Sequence, residues 1–176
     1  MASERAVNVF LIGPMGSGKT AVGRQLARAL RLDFYDCDVE IERRTGVDIA
    51  YIFEKEGEAG FREREREVID ALTQLEEVVI ATGGGAILSP QNREHLAARG
   101  RVVYLRTGIE HQLERTRHGR HRPLLHTADP EAKLRELMGI RAPLYESIAN
   151  ITVATDGRHV RAVADEIVQR LREVAL

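Results

Sequence analysis

Residues 13–20 read Gly-Pro-Met-Gly-Ser-Gly-Lys-Thr, a complete G-x-x-x-x-G-K-[ST] sequence. The apolar run at residues 7–12 precedes it, and a helical pattern at residues 21–30 follows. A glycine-rich turn between a strand and a helix presents successive backbone N–H groups, which bind phosphate. The stretch therefore predicts a nucleoside triphosphate site in an α/β fold. The alternative is a glycine-rich turn that merely resembles the pattern.

Each residue of this loop has an expected role. Gly16, Ser17 and Gly18 place backbone amides around the phosphates, while Lys19 reaches the terminal phosphates. Thr20 offers its hydroxyl to Mg²⁺. The loop thus predicts a bound nucleoside triphosphate with Mg²⁺ as a cofactor.

The composition excludes several classes of protein. The chain has 176 residues, 43% of them hydrophobic and 30% charged, as expected for a single globular domain over residues 1–176. A formal net charge of −1 argues against a wholly basic nucleic-acid binder. Cys37 is the only cysteine, which fits a reducing cytoplasm, and the short apolar run near the amino terminus predicts neither a signal peptide nor a membrane span.

Apolar, β-rich runs alternate with helical patterns along the chain. This order predicts a parallel sheet covered by helices on both faces, which is a three-layer α/β domain. Ser89-Pro90 and Asp129-Pro130 each predict a helix start, and another helix is expected to start near Glu58. The final helix is expected at about residues 160–174. The predicted strands are residues 6–12, 32–35, 78–81, 102–105 and 151–154.

Two aspartates end the second predicted strand, in the sequence Asp36-Cys37-Asp38. Ligands of open α/β sheets bind beyond the carboxyl ends of the strands, where the phosphate loop also lies. We expect Asp36 to face Thr20 and the Mg²⁺ site, and Asp38 to face an acceptor hydroxyl. The alternative is a solvated turn in which Asp38 caps a helix. Cys37 is interpreted as a packing residue.

A charged helix pattern at residues 57–65 contains one arginine of special interest. Much of this segment predicts a solvated face with weak ion pairs, which is the preferred interpretation for Arg64 and Arg66. Arg62 differs, because the adjacent Phe61 marks a packed end of the helix. Glu58 and Glu65, about one turn to either side, are expected to hold its guanidinium so that it can bind a carboxylate.

Three further stretches leave alternatives open. The triple glycine at residues 83–85 predicts either close backbone approach to a ligand or a plain turn. The basic stretch at residues 115–126 is typical either of a nucleic-acid contact or of a mobile lid over the triphosphate, and the net charge favours the lid. Arg141, taken alone, would be an ordinary surface arginine.

Together these stretches resemble the shikimate kinase family over nearly the whole chain. The combination, rather than any single motif, carries the resemblance. Its parts fall in family order: the phosphate loop, the D-x-D at 36–38, Gly57-Glu58 with Phe61-Arg62 and Glu65, the triple glycine, Arg-Pro-Leu-Leu at 122–125, and Arg-Ala-Pro-Leu-Tyr at 141–145.

The resemblance implies a P-loop NTPase fold like that of the nucleoside monophosphate kinases. It implies a five-stranded parallel sheet, a substrate-binding region at about residues 37–65 and a lid at about residues 116–128. The implied reaction transfers the γ-phosphoryl of ATP to the 3-hydroxyl of shikimate, in aromatic amino-acid biosynthesis. The implied partners are therefore these two small molecules, with no nucleic acid or membrane, and we expect a cytoplasmic monomer.

The resemblance also assigns individual residues. Shikimate would be bound by Asp38, Arg62, Gly84 and Arg141, and Asp38 would also orient the nucleophile. Thr20 would ligate Mg²⁺ directly and Asp36 through water. Lys19 and the lid residue Arg122 would act on the phosphates, and Arg115 and Arg158 would flank adenine.

Two features depart from the family pattern, and two rival functions remain. Cys37 stands where the family usually has Thr or Ser, and the lid carries extra basic residues, which leaves the role of Arg120 open. The nearest rival enzyme is a gluconate or nucleoside-monophosphate kinase of the same fold. A rival of another class is a nucleotide-binding regulatory module whose basic segment binds RNA.

Overall fold

A computed structural model describes residues 7–116 and 127–174. Within them, five strands form one parallel sheet in the order β2-β3-β1-β4-β5. The expected five-stranded α/β fold is therefore confirmed. The strands are β1 Val9–Ile12, β2 Asp33–Asp36, β3 Val78–Ala81, β4 Arg101–Arg106 and β5 Ile151–Ala154.

Helices connect the strands and cover both faces of the sheet. In the described part of the chain they are α1 Lys19–Leu30, α2 Cys37–Thr45, α3 Ile49–Thr73, α4 Pro90–Arg99, α5 Ile109–Thr116, α6 Pro130–Ile148 and α7 Val160–Val174. A short 3₁₀ helix, Ala86–Leu88, precedes α4.

Alternate residues of each strand pack into two separate hydrophobic cores, one on each face of the sheet. Phe10 and Ile12 of β1 belong to the core beneath α2, α3, α4 and α6, whereas Val9 and Leu11 belong to the core beneath α1 and α7. This is the two-residue period of a strand that is buried on both faces. The three-layer architecture follows from it.

The helix starts predicted from Ser-Pro and Asp-Pro pairs are confirmed. The Ser89 side chain accepts a hydrogen bond from the backbone N–H of Asn92, and Asp129 accepts one from Ala132. Each cap therefore satisfies a backbone donor that the first turn leaves without a helical partner.

The helix start predicted near Glu58 is confirmed for the second part of α3, which follows a break at Gly57, but the helical segment ahead of that break was not predicted. Helix α3 begins nine residues before Glu58, at Ile49, where Asp48 accepts a hydrogen bond from the backbone N–H of Tyr51. Gly57 breaks the helix internally, with φ 71° and ψ −178°. The segment before this break packs Ile52 into the core, so tertiary packing supports a turn that its local sequence only weakly favours.

Strand bounds differ from the predicted ones by small amounts. The described part of the first strand begins at Val9, and Ala6 lies outside the described residues. Strand β2 ends at Asp36 rather than at Tyr35, and β4 extends to Arg106. The shift of β2 matters, because it makes Asp36 the last strand residue and the residue that caps α2.

The sheet order brings three candidate segments to one edge. The phosphate loop follows β1, the D-x-D sequence ends β2, and the triple glycine follows β3. These three strands are neighbours in the sheet and run parallel, so their carboxyl ends lie side by side. The fold thereby places phosphate binding next to the residues proposed for the acceptor.

Candidate active site

The phosphate loop closes around the Lys19 ammonium. Lys19 Nζ donates to the carbonyl oxygens of Gly13 and Pro14, at 2.6 Å and 2.7 Å, and lies 3.4 Å from Ser17 Oγ. Gly18 adopts a left-handed conformation, φ 86°, immediately before α1. Only glycine adopts this conformation readily. Gly18 therefore lets the chain pass from the loop into α1 while the N–H groups of the loop face the space that it encloses.

Helix α5 packs directly on this loop. A Cβ atom on Gly16 would lie 3.3 Å from the backbone of Gln112, and one on Gly18 would lie 2.9 Å from Arg115 Nη1. The guanidinium of Arg115 therefore borders the phosphate loop. Its expected role beside adenine stays a prediction.

Thr20 and Asp36 form the contact expected for a magnesium site. Thr20 Oγ1 donates to Asp36 Oδ2 at 2.6 Å, across the gap between α1 and the end of β2. The other oxygen, Asp36 Oδ1, accepts from the backbone N–H groups of Asp38 and Val39, at 2.9 Å and 3.2 Å. The helix cap is therefore Asp36, and the alternative that assigned the cap to Asp38 was wrong.

Asp38 lies in the first turn of α2 and faces the triple glycine. A Cβ atom on Gly83 would lie 3.1 Å from Asp38 Oδ1 and 3.0 Å from Glu65 Oε2. These two carboxyl groups therefore border the same glycine. The buried thiol of Cys37 has a raised pKa, first because of burial and then because of Asp38, which supports the interpretation of Cys37 as a packing residue.

Arg62 is held as expected from its neighbours in the helix. Its Nη1 donates to Glu65 Oε1 at 2.9 Å and its Nη2 to Glu58 Oε1 at 3.4 Å, and its Cζ lies 5.1 Å from the centroid of the Phe61 ring. The Arg62 side chain is 15% exposed and that of Glu65 is 1% exposed. Burial raises the pKa of Glu65, and Arg62 opposes this only in part.

Arg141 is buried, so the alternative of an ordinary surface arginine was wrong. It is 3% exposed, and burial lowers the pKa of its guanidinium, with Arg62 adding to this effect. A Cβ atom on Gly84 would lie 3.6 Å from Arg141 Nη1. Two guanidinium groups thus approach the triple glycine from α3 and α6.

Each glycine at residues 83–85 allows a close approach that a side chain would prevent. A Cβ atom on Gly84 would lie 3.2 Å from the backbone nitrogen of Met15 in the phosphate loop. One on Gly85 would lie 2.5 Å from Arg62 Cζ. This turn is where the phosphate loop and the guanidinium groups meet, and its close approach to a ligand stays a prediction.

Tyr145 contacts the triple glycine, a role that its place in the Arg-Ala-Pro-Leu-Tyr sequence does not by itself predict. Its hydroxyl donates to the carbonyl oxygen of Gly84, and its ring stacks on Tyr104 with centroids 5.0 Å apart. Burial raises the pKa of Tyr145 above its ordinary value. The spacing of Tyr145 from Arg141, four residues along α6, was the one available signal, because it puts both on one helix face.

Of the other arginines expected at the nucleotide or in the lid, only Arg158 lies within the described residues. Arg158 follows β5 and donates to Ala154 O at 3.0 Å and to Glu166 Oε1 at 2.9 Å. Arg122 and Arg120 lie outside the described residues, as does most of the predicted lid. The roles of all three arginines stay predictions.

Some buried polar atoms of this site have no hydrogen-bond partner among residues 7–116 and 127–174. They are Arg62 Nε, Arg141 Nε and Glu65 Oε2. Buried polar groups in folded proteins are nearly always paired, so groups of this kind indicate a place for a bound polar molecule or water. All three residues border the triple glycine.

Comparison with known proteins agrees with this geometry. A family model described as "Shikimate kinase" matches residues 15–172. The chain is 53% identical to a shikimate kinase of Alteromonas mediterranea over 97% of this chain and 99% of that one. It is 56% identical to a shikimate kinase of Halorhodospira halophila, over 93% of each chain.

The structural comparison gives the same answer. The fold matches shikimate kinase from Acinetobacter baumannii in complex with shikimate, with a TM-score of 0.95 and 51% identity, over 97% of this chain and 95% of that one. Sequence and fold agree over nearly the whole length. This chain belongs to the shikimate kinase family.

Proposed function

We propose that this enzyme transfers the γ-phosphoryl group of ATP to the 3-hydroxyl of shikimate, giving shikimate 3-phosphate and ADP. Membership of the family supports a kinase of the shikimate pathway.

One observation supports the acceptor more than any other. Arg62 and Arg141 are both mostly buried, both border the triple glycine, and each has an Nε–H without a partner in the described part of the chain. Two guanidinium groups this close repel each other and suit an anion placed between them. A ring bearing one carboxylate and several hydroxyls fits such a pair together with the nearby Asp38.

The oxygen donors beside the loop fit Mg²⁺. Thr20 Oγ1 and Asp36 Oδ2 are hard oxygen ligands 2.6 Å apart, and Mg²⁺ is commonly bound through one or two protein oxygens plus phosphates and waters. When bound, Mg²⁺ would neutralise charge on the phosphate oxygens. Thr20 would hold it directly and Asp36 through water.

The protein's own contribution to catalysis is alignment and charge. Phosphoryl transfer has a loose transition state, so positioning and electrostatic stabilisation matter most. Lys19 and the amides of Gly16, Ser17 and Gly18 would hold the triphosphate. Arg62 and Arg141 would fix the carboxylate, while Asp38 would accept the proton of the attacking hydroxyl.

The remaining nucleotide contacts are part of the same proposal. Arg122 would bring positive charge to the phosphates as the lid closes, and closure would exclude water as a competing acceptor. Arg115 and Arg158 would flank adenine. Gly84 would approach the bound acid through its backbone.

We expect ATP consumption with shikimate, and none above background with gluconate or AMP, in an assay that couples ADP release to NADH oxidation. Turnover of gluconate or AMP in preference to shikimate would reject the proposal in favour of the rival kinases. Titration with labelled oligonucleotides tests the RNA-binding rival, for which strong, salt-dependent binding is required.

A pair of variants tests the acceptor clamp, by which we mean the binding of the shikimate carboxylate by Arg62 and Arg141. Arg62→Lys keeps the charge but cannot bind a carboxylate bidentately, so KM for shikimate should rise at least about tenfold while KM for ATP changes little. Arg64→Lys is the matched control, because Arg64 lies on the same helix but pairs with Glu56 at a half-exposed position. Equal effects of the two substitutions would contradict the clamp.

The cellular setting is also proposed here. In the described part of the chain, no helix is long and apolar enough to span a bilayer. We propose that the enzyme is cytoplasmic, on the basis of its single cysteine, and that it is a single-domain monomer. Light scattering coupled to gel filtration tests the oligomeric state.

A further inference from the structure

The loop that follows β5 is tied to the start of the helix that packs on the phosphate loop. Thr155 Oγ1 and Thr107 Oγ1 lie 2.6 Å apart, and Asp156 Oδ1 accepts from the backbone N–H of Gly108 at 2.9 Å. Helix α5 begins directly after Gly108 and borders the phosphate loop. Arg158, two residues beyond Asp156, therefore belongs to a loop at the carboxyl edge of the sheet, next to the start of α5.

Three acceptors hold the guanidinium of Arg158. Its Nη1 donates to Ala154 O at 3.0 Å and to Glu166 Oε1 at 2.9 Å, and its Nη2 lies 3.5 Å from Ala162 O. Of these three acceptors only the Glu166 carboxylate is charged, and hydrogen bonds between charged groups are stronger than neutral ones. Because a guanidinium is planar, contacts at both Nη atoms fix its plane as well as its position.

Glu166 is itself held from its other side. Its Oε2 lies 3.6 Å from Nη1 of Arg170, one turn further along α7. The same nitrogen of Arg170 donates to the carbonyl oxygen of Thr152 in β5. The Glu166 carboxylate therefore has a defined orientation between two arginines, each of which is anchored on the backbone of β5.

The exposure of this ion pair suits it to binding rather than to folding. The side chains of Arg158 and Glu166 are 32% and 35% exposed, and ion pairs of this kind contribute little to stability. A ligand can reach the exposed part of the guanidinium, whose flat face stacks on aromatic rings. An arginine that is already held in place loses less rotamer freedom when that ligand binds.

We propose that Glu166 is a positioning residue for nucleotide binding, which holds the guanidinium of Arg158 with its flat face available to the adenine ring of ATP. The inference rests on the proposed function, in which Arg158 flanks adenine, and adds the residue that sets the orientation of Arg158. Glu166 does not touch the nucleotide in this proposal; it acts through Arg158 alone.

The experiment is calorimetric titration of the full-length protein with Mg²⁺ and ADP, and separately with Mg²⁺ and inorganic tripolyphosphate, which has phosphates but no base. Glu166→Ala should weaken ADP binding about threefold to tenfold, as expected for one side chain that must be immobilised on binding. Its affinity for tripolyphosphate and its KM for shikimate should stay within about twofold. Glu166→Gln keeps the side-chain length and an acceptor oxygen, so it should bind ADP within about twofold of the unsubstituted protein.

Asp165→Ala is the matched control. Asp165 is an exposed residue of α7, and consecutive helix residues point about 100° apart, so it faces away from the side of α7 that carries Glu166. Each alanine variant removes one negative charge from the same helix, and this charge loss by itself would strengthen the binding of an anionic nucleotide. Asp165→Ala should therefore bind ADP no more weakly than the unsubstituted protein, whereas Glu166→Ala binds it more weakly.

A double-variant cycle shows whether Glu166 acts through Arg158. Arg158→Ala should weaken ADP binding at least as much as Glu166→Ala does. Adding Glu166→Ala to Arg158→Ala should change ADP affinity by less than about twofold, because the side chain that Glu166 holds is already absent. The unfolding midpoint of Glu166→Ala should fall by no more than about 4 °C, as expected for a partly exposed ion pair.

The outcomes distinguish the inference from the function on which it rests. Unchanged ADP affinity in Arg158→Ala would reject the proposed place of Arg158 beside adenine, and with it the inference. Three results would overturn the inference alone: full ADP affinity in Glu166→Ala when Arg158→Ala binds weakly, additive losses in the double variant, or an equal loss of tripolyphosphate binding in Glu166→Ala.

Discussion

Replacement of Gly85 by alanine should disable the acceptor site while leaving the fold intact. Gly85 has φ −93° and ψ 0°, which alanine adopts without backbone strain. The added methyl would lie 2.5 Å from Arg62 Cζ and 2.6 Å from Arg62 Nη1, whereas ordinary contact begins at 3.4 Å. The guanidinium is the mobile end of a long side chain, so it, rather than the backbone, will move.

The size of the effect follows from the contacts that this movement breaks. A displacement of about 1 Å takes Arg62 Nη1 beyond hydrogen-bonding distance of Glu65 Oε1, which is now 2.9 Å away. A hydrogen bond to a charged group contributes about 1.5–3 kcal/mol, so losing the aligned guanidinium should raise KM for shikimate about tenfold to a hundredfold. KM for ATP should stay within about twofold, because the phosphate loop is not displaced.

Steady-state kinetics with each substrate varied in turn, together with urea unfolding, check this prediction. Gly139→Ala is the matched control, since Gly139 lies in α6 with nothing within 4 Å of its added Cβ. It should leave both KM values unchanged. An unaltered KM for shikimate in Gly85→Ala, or an equal rise in both KM values, would refute the reasoning.

Three other perturbations have distinct expected results. Lys19→Ala should lower kcat by about a hundredfold or more in a protein with unchanged circular dichroism, because a charge aimed at the phosphates is lost. Tyr145→Phe leaves the Gly84 carbonyl without its donor and should cost about 1–3 kcal/mol of unfolding free energy in urea, with a larger rise in KM for shikimate than for ATP. The pKa of Glu40 is lowered because Arg43 donates hydrogen bonds to its carboxylate. The folded protein therefore favours the ionised form, and Glu40 contributes stability at pH values above its ordinary pKa of 4.5. Glu40→Gln should therefore lower stability by up to about 1 kcal/mol at pH 7, and the difference should shrink as the pH falls below 4.5 in acid unfolding curves.

The parts of the site that lie in continuous motifs could be predicted from the sequence. The phosphate loop and the ion pairs of Arg62 follow from spacing within one element. The contact of Thr20 with Asp36 follows from β1 and β2 ending at the same edge of the parallel sheet. Local chemistry dictates these arrangements: glycines permit the loop, and residues three or four apart on a helix meet.

The other features of the site depend on long-range packing and could not be predicted from the sequence. The burial of Arg141 and the contact of Tyr145 with Gly84 depend on how α6 lies against a turn about sixty residues away in sequence. No local pattern distinguishes a buried arginine from an exposed one. The early start of α3 was also missed, because a glycine with positive φ interrupts the helical period that sequence analysis relies on.

The break at Gly57 makes the direction of the second half of α3 independent of the first half. In a continuous helix, each inserted residue would rotate every later side chain by about 100° about the helix axis. Such a rotation would turn Arg62 away from the triple glycine. A glycine outside helical geometry resets that angular phase. The residues ahead of Gly57 therefore do not set the direction in which Arg62 points, because that direction is fixed after the break by the packing of Phe61 and the hydrogen bond to Glu65.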